Sequence, residues 1–347
     1  MSLLNTRMLE LRVKSPNLDK WTNRPSMYGA LDCFLAGNDE PDSIISPELL
    51  SQAATAVGRD VKVPVFDSET VTIGSTRSVT IADSENTSQL YTVSFATLSW
   101  GFTSVPSLFM NNEVGQQQDW ARKFLKYLYK VAETLDTSGL AALGTAKSQV
   151  FADLLGLYTN VANTVVAAQA QKDEILGDLS SIMGANDFYG APYRIGGNMG
   201  LKSQVEKMSE YAVYNEKNQT IQWLDKQFHW SNRLANSSGH VASGFIVNPG
   251  SVGMVFRQEA EAILGTVLPN GNEWGIDTLP LLNIPISTYF YYGVSDENAL
   301  AGAASAHLTR AAKEHYGFSV DVAFVTAYNT ALATYASPIA RFAIANA

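Results

Sequence analysis

The order of the predicted elements in the first 136 residues constrains the fold more than any single motif. Residues 1–60 carry scattered prolines, asparagines and aspartates with only short apolar pairs, which is typical of an extended arm without its own core. Residues 61–105 alternate apolar and polar side chains with the period of a β-strand, and residues 112–136 follow as one long amphipathic helix. Such an arm and hairpin cannot bury themselves, so the order predicts a chain that is completed by other copies of itself.

The predicted hairpin in residues 61–105 is rich in serine and threonine and poor in large apolar side chains. An isolated two-stranded ribbon is at best marginally stable in water, so a neighbour must cover it. Four β-branched residues beside its turn are expected to contact a neighbouring subunit more than their own body: Val71, Ile73, Val79 and Ile81. Deletion of residues 67–88 is expected to leave a soluble chain that cannot assemble.

The predicted helix at residues 112–136 has one apolar stripe and one basic face. At 1.5 Å per residue it would be roughly 37 Å long, about twice the usual length, and Gly139 is placed where a left-handed cap would end it. The basic face consists of Arg122, Lys123, Lys126 and Lys130. Two interpretations stay open: a solvated helix face, or a contact surface for acidic residues of another subunit's arm. The acidic candidates are Asp39, Glu40 and Asp42.

Helices and strands are interleaved in the rest of the chain without a regular βαβ repeat, which predicts the α+β class. A short helix is predicted to start at Pro47 with Ser46 as its N-cap. Further helices are predicted at residues 146–166, 173–183 and 201–211. Strands are predicted at residues 192–195, 221–230, 244–247, 284–292 and 318–325. The aromatic cluster at residues 289–292 is interpreted as part of a core strand and not as a binding platform for sugars or bases.

Composition limits the classes of function. The net charge is −9 and the pI is about 5.0, which argues against direct wrapping of nucleic acid by a basic surface. Charged residues make up 16% of the chain, below the usual value of about 25%. The single cysteine, Cys33, excludes an intrachain disulfide and a thiolate zinc site, and no apolar run is long enough for a membrane helix.

Two segments imitate enzyme motifs. Residues 196–203 resemble a phosphate-binding loop, but Leu201 stands between the last glycine and Lys202, so an ordinary glycine turn before a helix is favoured. Ser251 lies in a turn that resembles a nucleophile elbow, but Pro249 occupies the position of its first glycine. The four histidines have no spacing that forces a triad or a metal site: His229, His240, His307 and His315.

Five stretches together carry a resemblance to a known family. They are the segment 61–105 with its end YTVSFATLSWGFTSVP (91–106), the helix 112–136, the set 173–182, 186–190 and 193–198, the segment 243–251 (SGFIVNPGS) and the segment 315–326 (HYGFSVDVAFVT). The sequence resembles the major capsid proteins of tailed bacteriophages, which have the Hong Kong 97-type fold. The resemblance implies an N-terminal arm (1–60), an extended β-hairpin loop (61–105), a peripheral domain with the spine helix (106–169), an axial domain (170–320) and a C-terminal return to the peripheral domain (321–347).

The same resemblance implies a structural protein that is not an enzyme and needs no cofactor or metal. It would self-assemble through hexamers and pentamers into an icosahedral shell around double-stranded DNA. The protein would not bind this DNA sequence-specifically, although the basic face could touch it. The expected location is the virion capsid, assembled in the host cytoplasm, with portal, scaffolding and decoration proteins as partners and no membrane. Two alternatives stay open: an encapsulin-like shell around a cargo enzyme, and a soluble hydrolase built on Ser251.

Overall fold

The computed structural model describes most of the chain from residue 27 onward. The described residues are 27–40, 43–55, 62–66, 88–105, 113–148, 150, 156, 158–207, 213–215, 220–223, 225–236, 239–259, 262–263, 273–279, 282–294, 312–326 and 336–346. Their helices are α1 (Gly29–Asn38), α2 (Pro47–Thr55), α3 (Glu113–Ala146), α4 (Ile175–Ala185) and α5 (Met199–Lys207).

The strands form two large sheets and a separate hairpin. In chain order they are β1 (Lys62–Phe66), β2 (Ser88–Thr92), β3 (Ala96–Ser104), β4 (Thr159–Asn160), β5 (Val165–Ala167), β6 (Tyr193–Gly197), β7 (Val213–Asn215), β8 (Thr220–Trp223), β9 (Lys226–Trp230), β10 (His240–Val247), β11 (Val252–Arg257), β12 (Glu273–Leu279), β13 (Ile284–Val294), β14 (Ala312–Thr326) and β15 (Ile339–Ala345). This mixture of helices and sheets confirms the predicted α+β class.

The first sheet has eight strands in the order β4-β5-β15-β10-β6-β9-β8-β7. Most neighbours are antiparallel, but β15 pairs β5 and β6 pairs β9 in parallel. Side chains alternate between its two faces: Tyr193 and Ile195 of β6 join a core with α4 and α5, whereas Arg194 points to the opposite face, toward Ala36 and Glu40.

The second sheet has five strands and is built around the long strand β14. This strand pairs β3 along one edge and both β13 and β11 along the other, with β12 beyond β13. Asp321 shows the arrangement, since it accepts hydrogen bonds from Thr97 of β3 at 2.6 Å and from Arg257 of β11 at 2.7 and 2.9 Å. The predicted aromatic strand is confirmed as part of β13, where Phe290 is buried in the core.

Helix α3 packs its apolar stripe on the second sheet. The rings of Trp120 and Phe102 meet edge to face at 5.4 Å, and those of Phe124 and Phe318 do so at 5.6 Å. The predicted position of this helix is confirmed, but its predicted end is wrong, because the helix runs through Gly139 to Ala146 and has 34 residues. Gly139 is not a cap but lies inside the helix, where a Cβ would be 3.3 Å from Phe324 and 3.4 Å from Ala30 and Phe34 of α1.

Helix α1 corrects the expectation that residues 1–60 have no core of their own. Leu31, Cys33 and Phe34 are completely buried within the same chain. The helix lies between the two sheets, and a glycine near each end permits close contact. A Cβ at Gly29 would come within 2.7 Å of the backbone of β9, and one at Gly37 within 2.2 Å of the Val252 carbonyl oxygen of β11. A segment that was predicted to be an extended arm is therefore the element that joins the two sheets.

Two other local predictions are wrong. Residues 158–167 form a short hairpin of β4 and β5 instead of the end of a helix, with Ala162 and Asn163 at positive φ in the turn. The predicted strand at residues 221–230 is two antiparallel strands, β8 and β9, joined by a tight turn after Trp223. Val161 and Ala162 lie between β4 and β5, and Leu224 directly follows Trp223, so the hydrophobic pattern alone does not separate the strands in either place. The helix at Pro47 is confirmed, and the Ser46 hydroxyl accepts the Leu49 N–H at 3.2 Å.

The boundary between the sheets does not follow the sequence-based division at residues 170 and 320. Strands β11 to β14 lie in the predicted axial range but pair in the sheet that packs on α3. Strand β15 lies in the predicted C-terminal return but pairs in the eight-stranded sheet. Among the described residues, no helix is long and apolar enough to cross a membrane.

Candidate assembly surfaces

The β1–β2 hairpin leaves the body of the protein. Its register runs from Lys62 opposite Thr92 to Phe66 opposite Ser88. Among the described elements, none packs extensively against either strand. The four residues predicted to contact a neighbour lie outside the described residues, and that prediction stays open: Val71, Ile73, Val79 and Ile81. The described part of the hairpin therefore offers open backbone and receives little cover from its own subunit.

The predicted basic face of α3 is only partly free. Lys123 pairs with Asp119 at 2.6 Å and also donates to the Thr103 carbonyl oxygen at 3.1 Å, and Lys130 pairs with Glu133 at 3.1 Å. Arg122 and Lys126 are exposed and make no ion pair within the described part of the chain. These two side chains are thus the part of the face that another molecule could reach without breaking an existing pair.

The acidic residues predicted to meet this face from another subunit differ in how freely they are available. Asp39 is exposed at the end of α1, and Asp42 lies outside the described residues. The carboxylate of Glu40 accepts a hydrogen bond from Arg194 at 2.7 Å and another from the Gly250 N–H. Glu40 is therefore held inside its own chain, and its proposed contact with another subunit remains an untested prediction.

The ends of α1 are fixed by opposite charges that the sequence interpretation missed. At the N-terminus, the buried carboxylate of Asp136 on α3 accepts the N–H groups of Ala30 and Leu31 at 2.9 and 3.3 Å. At the other end, Arg194 donates to the Ala36 carbonyl oxygen at 3.1 Å. An anion at the N-terminus and a cation at the C-terminus both complement the helix dipole and satisfy groups that the helix itself leaves unpaired.

Asp136 also connects α3 to the first sheet. The Ser231 hydroxyl donates to it at 2.5 Å, and an Arg233 nitrogen lies 3.7 Å away. Burial raises the pKa of this carboxyl, and the hydrogen bonds from Ser231, Leu31 and Ala30 oppose the increase. A sequence signal was present, since an aspartate directly follows Leu135 on the buried side of the helix, but nothing in the sequence indicates its partners.

The two enzyme-like segments have structural roles. Asn198 caps α5 by accepting the Leu201 N–H at 2.9 Å, and Lys202 lies 3.6 Å from Glu206, so the glycine turn holds a helix start as predicted. The buried Ser251 hydroxyl donates to the Asn248 carbonyl oxygen at 2.6 Å. Among the described residues, no group of three histidine, cysteine or acidic side chains is arranged to hold a metal ion.

One cleft of about 880 Å³ opens beside α4. It is lined by residues that include Ser180, Tyr189, Tyr193 and Asp225. Two polar groups of its wall are already engaged: the Tyr193 hydroxyl donates to the Phe188 carbonyl oxygen at 2.8 Å, and Asp225 pairs with the buried Lys226 at 2.6 Å. This cleft therefore presents no set of converging free polar groups.

Comparison with known proteins gives structural relatives only. No family model matches the sequence, and no curated protein matches it. The capsid asymmetric unit of cyanophage A-1(L) is similar with a TM-score of 0.51 and 10% identity, over 88% of this chain and 93% of that chain. The chain has the fold of a tailed-phage major capsid protein.

Two further structures share the capsid fold at lower scores. The capsid of cyanophage P-SCSP1u has a TM-score of 0.46 and 9% identity, over 84% of each chain. The holo-SrpI encapsulin complex from Synechococcus elongatus has a TM-score of 0.41 and 10% identity, over 86% of this chain and 88% of that chain.

Proposed function

We propose that this protein is the structural major capsid protein of a tailed double-stranded DNA bacteriophage. The observation that carries the proposal is the similarity to the cyanophage A-1(L) capsid over nearly the full length of both chains. The hairpin that leaves its own body supports it, because such an element needs a neighbouring subunit. The protein is not an enzyme in this proposal, and the role of Ser251 in a turn supports that view.

Assembly proceeds through hexamers and pentamers that close into an icosahedral shell. Each subunit offers one surface and receives a different surface of the next, which produces a ring when the rotation closes. The proposed contact residues are those of the hairpin (Val71, Ile73, Val79 and Ile81), those of the basic face and the acidic group Asp39, Glu40 and Asp42. The exposed Arg122 and Lys126 are the members of the basic face with the best access.

The shell encloses double-stranded DNA without reading its sequence, and it forms in the host cytoplasm before it becomes part of the virion. A net charge of −9 supports containment of DNA over tight wrapping. Portal, scaffolding and decoration proteins are the partners that such a shell would use. No cofactor is part of this proposal.

Electron microscopy of the purified full-length protein tests the proposal directly. Closed shells of uniform diameter are expected, and the content of particles isolated from the producing cell separates the two shell types. Double-stranded DNA is expected; a cargo enzyme would favour the encapsulin-like alternative. A monomer that never forms particles, with a hydrolase activity that Ser251→Ala abolishes, would overturn the proposal.

A further inference from the structure

Strand β3 has one paired edge and one open edge. Its residues pair with β14 from Ala96 opposite Val322 to Ser104 opposite Glu314. Among the described residues, no strand pairs with the other edge of β3. An edge strand presents backbone N–H and C=O groups that can pair with another chain.

The hydrogen bonds show which groups face this open edge. The Thr103 carbonyl oxygen accepts the Lys123 ammonium group from α3, so it points away from β14. Backbone groups of alternate residues in an antiparallel strand point to the same edge. The N–H and C=O groups of Thr97, Ser99 and Gly101 therefore face the open edge, and all three residues are exposed. We call these groups the free β3 edge.

The other sheet edges are protected within the chain. On β11, the Asn38 side chain binds both backbone groups of Met254, at 2.8 Å to the carbonyl oxygen and 2.9 Å to the N–H. Strand β12 carries the charges of Glu273 and Asp277, and β4 and β7 have only two and three residues. Charges and short length are the usual protection of sheet edges. The nine residues of β3 contain no charge and no proline, and among the described residues side-chain cover is found only at Thr103, whose carbonyl oxygen accepts Lys123.

The chain contains a second open strand of the same kind. Among the described residues, strand β2 pairs only with β1, and its sequence, SQLYT, has no charged residue and no proline. Strand β1 differs, because it contains Lys62 and Pro64. Each copy of the chain therefore carries one uncharged open edge on its body and another on a hairpin that its body does not cover.

We propose that the free β3 edge is completed by β2 from a second copy of this chain. The inference rests on the proposed shell function and names the backbone contact through which neighbouring subunits are joined. The contact is heterologous, because each subunit donates its β2 to one neighbour and accepts the β2 of another neighbour at its own β3. Repeated rotation by the same angle can close such contacts into a ring. Main-chain hydrogen bonds supply the binding, as in other cases of strand addition.

Hydrogen exchange of the wild-type protein tests the pairing without any substitution. The peptide covering residues 96–104 is compared in assembled shells and in dissociated subunits. At least tenfold slower exchange of this peptide is expected in the shells, because the amides of the free β3 edge gain acceptors. Equal exchange in both states would overturn the proposal.

Proline substitutions test the same edge by assembly. Ser99→Pro removes an N–H that points away from β14, so the sheet should fold while shell yield falls at least tenfold. Thr278→Pro is the matched control on the opposite edge, because the Thr278 N–H bonds the Asp277 side chain. This control should assemble like wild type. Ser99→Lys serves if the proline variant does not fold, and wild-type yield from a folded Ser99 variant would contradict the proposal.

A mixing experiment tests β2 as the donor. Subunits with Ser99→Pro keep a normal β2, and subunits with Gln89→Lys and Tyr91→Lys keep a normal β3. A mixture should form a discrete heterodimer in sedimentation experiments, whereas either variant alone stays monomeric. If no heterodimer forms, β2 is not the donor strand.

If the wild-type protein forms no shells, the proposed function fails. If shells form without protection of residues 96–104, only the edge pairing fails.

Discussion

At the scale of single residues, Asp136 connects three elements of the fold. It joins α3 to the N-terminus of α1 and, through Ser231, to the first sheet. The carboxylate is completely buried, and its removal would leave the N–H groups of Ala30 and Leu31 without this acceptor, whereas Arg233 would keep its ion pair with Glu133 at 3.2 Å. Such a group contributes to the stability of the folded subunit before any assembly begins.

Asp136→Ala should lower the free energy of unfolding by about 3–5 kcal/mol, the usual cost of removing one partner from a buried charged network. Asp136→Asn should cost less, because its amide oxygen still accepts one backbone N–H. Urea unfolding at pH 7 measures both variants. Asp119→Ala, which removes a partly exposed ion pair with Lys123 on the same helix, should cost less than about 1 kcal/mol. Equal losses at positions 136 and 119 would contradict this role.

His229 predicts a loss of stability in acid. Burial, with a smaller effect of Arg194, lowers the pKa of this histidine from 6.5 to about 4. The unfolded chain binds a proton at this histidine more readily than the folded chain does. The contribution of neutral His229 to the free energy of unfolding is therefore fully present above pH 6.5 and is lost as the pH falls toward 4. The loss would approach about 3 kcal/mol.

Unfolding of wild type and His229→Gln between pH 7 and pH 4 measures this effect. The difference between the two proteins should shrink as the pH falls, because the variant has no histidine to protonate at this position. The comparison also removes the opposite contribution of Asp136, whose raised pKa favours the folded state in acid and is common to both proteins. Parallel stability curves would contradict the assignment.

At the scale of elements, α1 contains glycines because of close contacts with the sheets and not because of helix propensity. A glycine inside a helix normally lowers stability, so its replacement by alanine should help where space allows. Gly37 has no such space, because its Cβ would lie 2.2 Å from a carbonyl oxygen of β11. Gly144 in α3 has nothing within 4 Å of its Cβ.

Replacing glycine by alanine should therefore change the free energy of unfolding in opposite directions in the two helices. Gly144→Ala should raise the free energy of unfolding by about 0.5–1 kcal/mol. Gly37→Ala should lower it by about 1–3 kcal/mol, the usual cost of overpacking. Thermal and urea unfolding measure both variants, and a stabilised Gly37→Ala would show that α1 is not wedged between the sheets.

The hairpin permits a test that keeps its described strands. Phe66 and Ser88 form the last pair before the tip, so residues 67–87 can be replaced by the two-residue turn Asn-Gly. The subunit should remain folded, because the body does not depend on the tip for its core. Shell formation should be lost, as measured by electron microscopy and sedimentation. Normal shells from this variant would contradict the assembly role of the hairpin.

At the scale of the whole molecule, the two sheets form one body through α1, and charge acts mainly on the surface. Arg122 and Lys126 are exposed on α3, so their individual effect on folding should be small. A surface pair contributes only about 0–1 kcal/mol, but a shell repeats it in every subunit. The effect of these residues should therefore appear in assembly and not in the unfolding of the subunit.

Arg122→Glu combined with Lys126→Glu should reduce shell yield and make assembled shells less tolerant of salt. Light scattering during assembly at several salt concentrations measures both quantities. Lys172→Glu combined with Lys207→Glu changes the net charge equally at other positions and should leave assembly nearly unchanged. An equal loss in both double variants would indicate a net-charge effect and not a contact.

The predictions from sequence succeeded where the pattern is local and periodic. The stripe of α3, the Ser46 cap and the aromatic strand in β13 follow from side-chain spacing alone, and all three are present. The helix predicted at residues 146–166 and the end predicted at Gly139 failed. In those places the structure that forms depends on which other elements pack against the segment, and the spacing of side chains along the sequence does not indicate those elements.

The sequence by itself determined the α+β class, the long helix, the alternating strands of the hairpin and the absence of an intrachain disulfide, because these depend on residue type and near neighbours. Only the tertiary structure decided that residues 29–38 are a buried helix, that Asp136 and Arg194 hold its two ends, and that β3 keeps an unprotected edge. Each of these depends on groups far apart in the chain, such as Ala30 and Asp136. Their contact arises only when the two sheets close around α1 and exclude water from the charges.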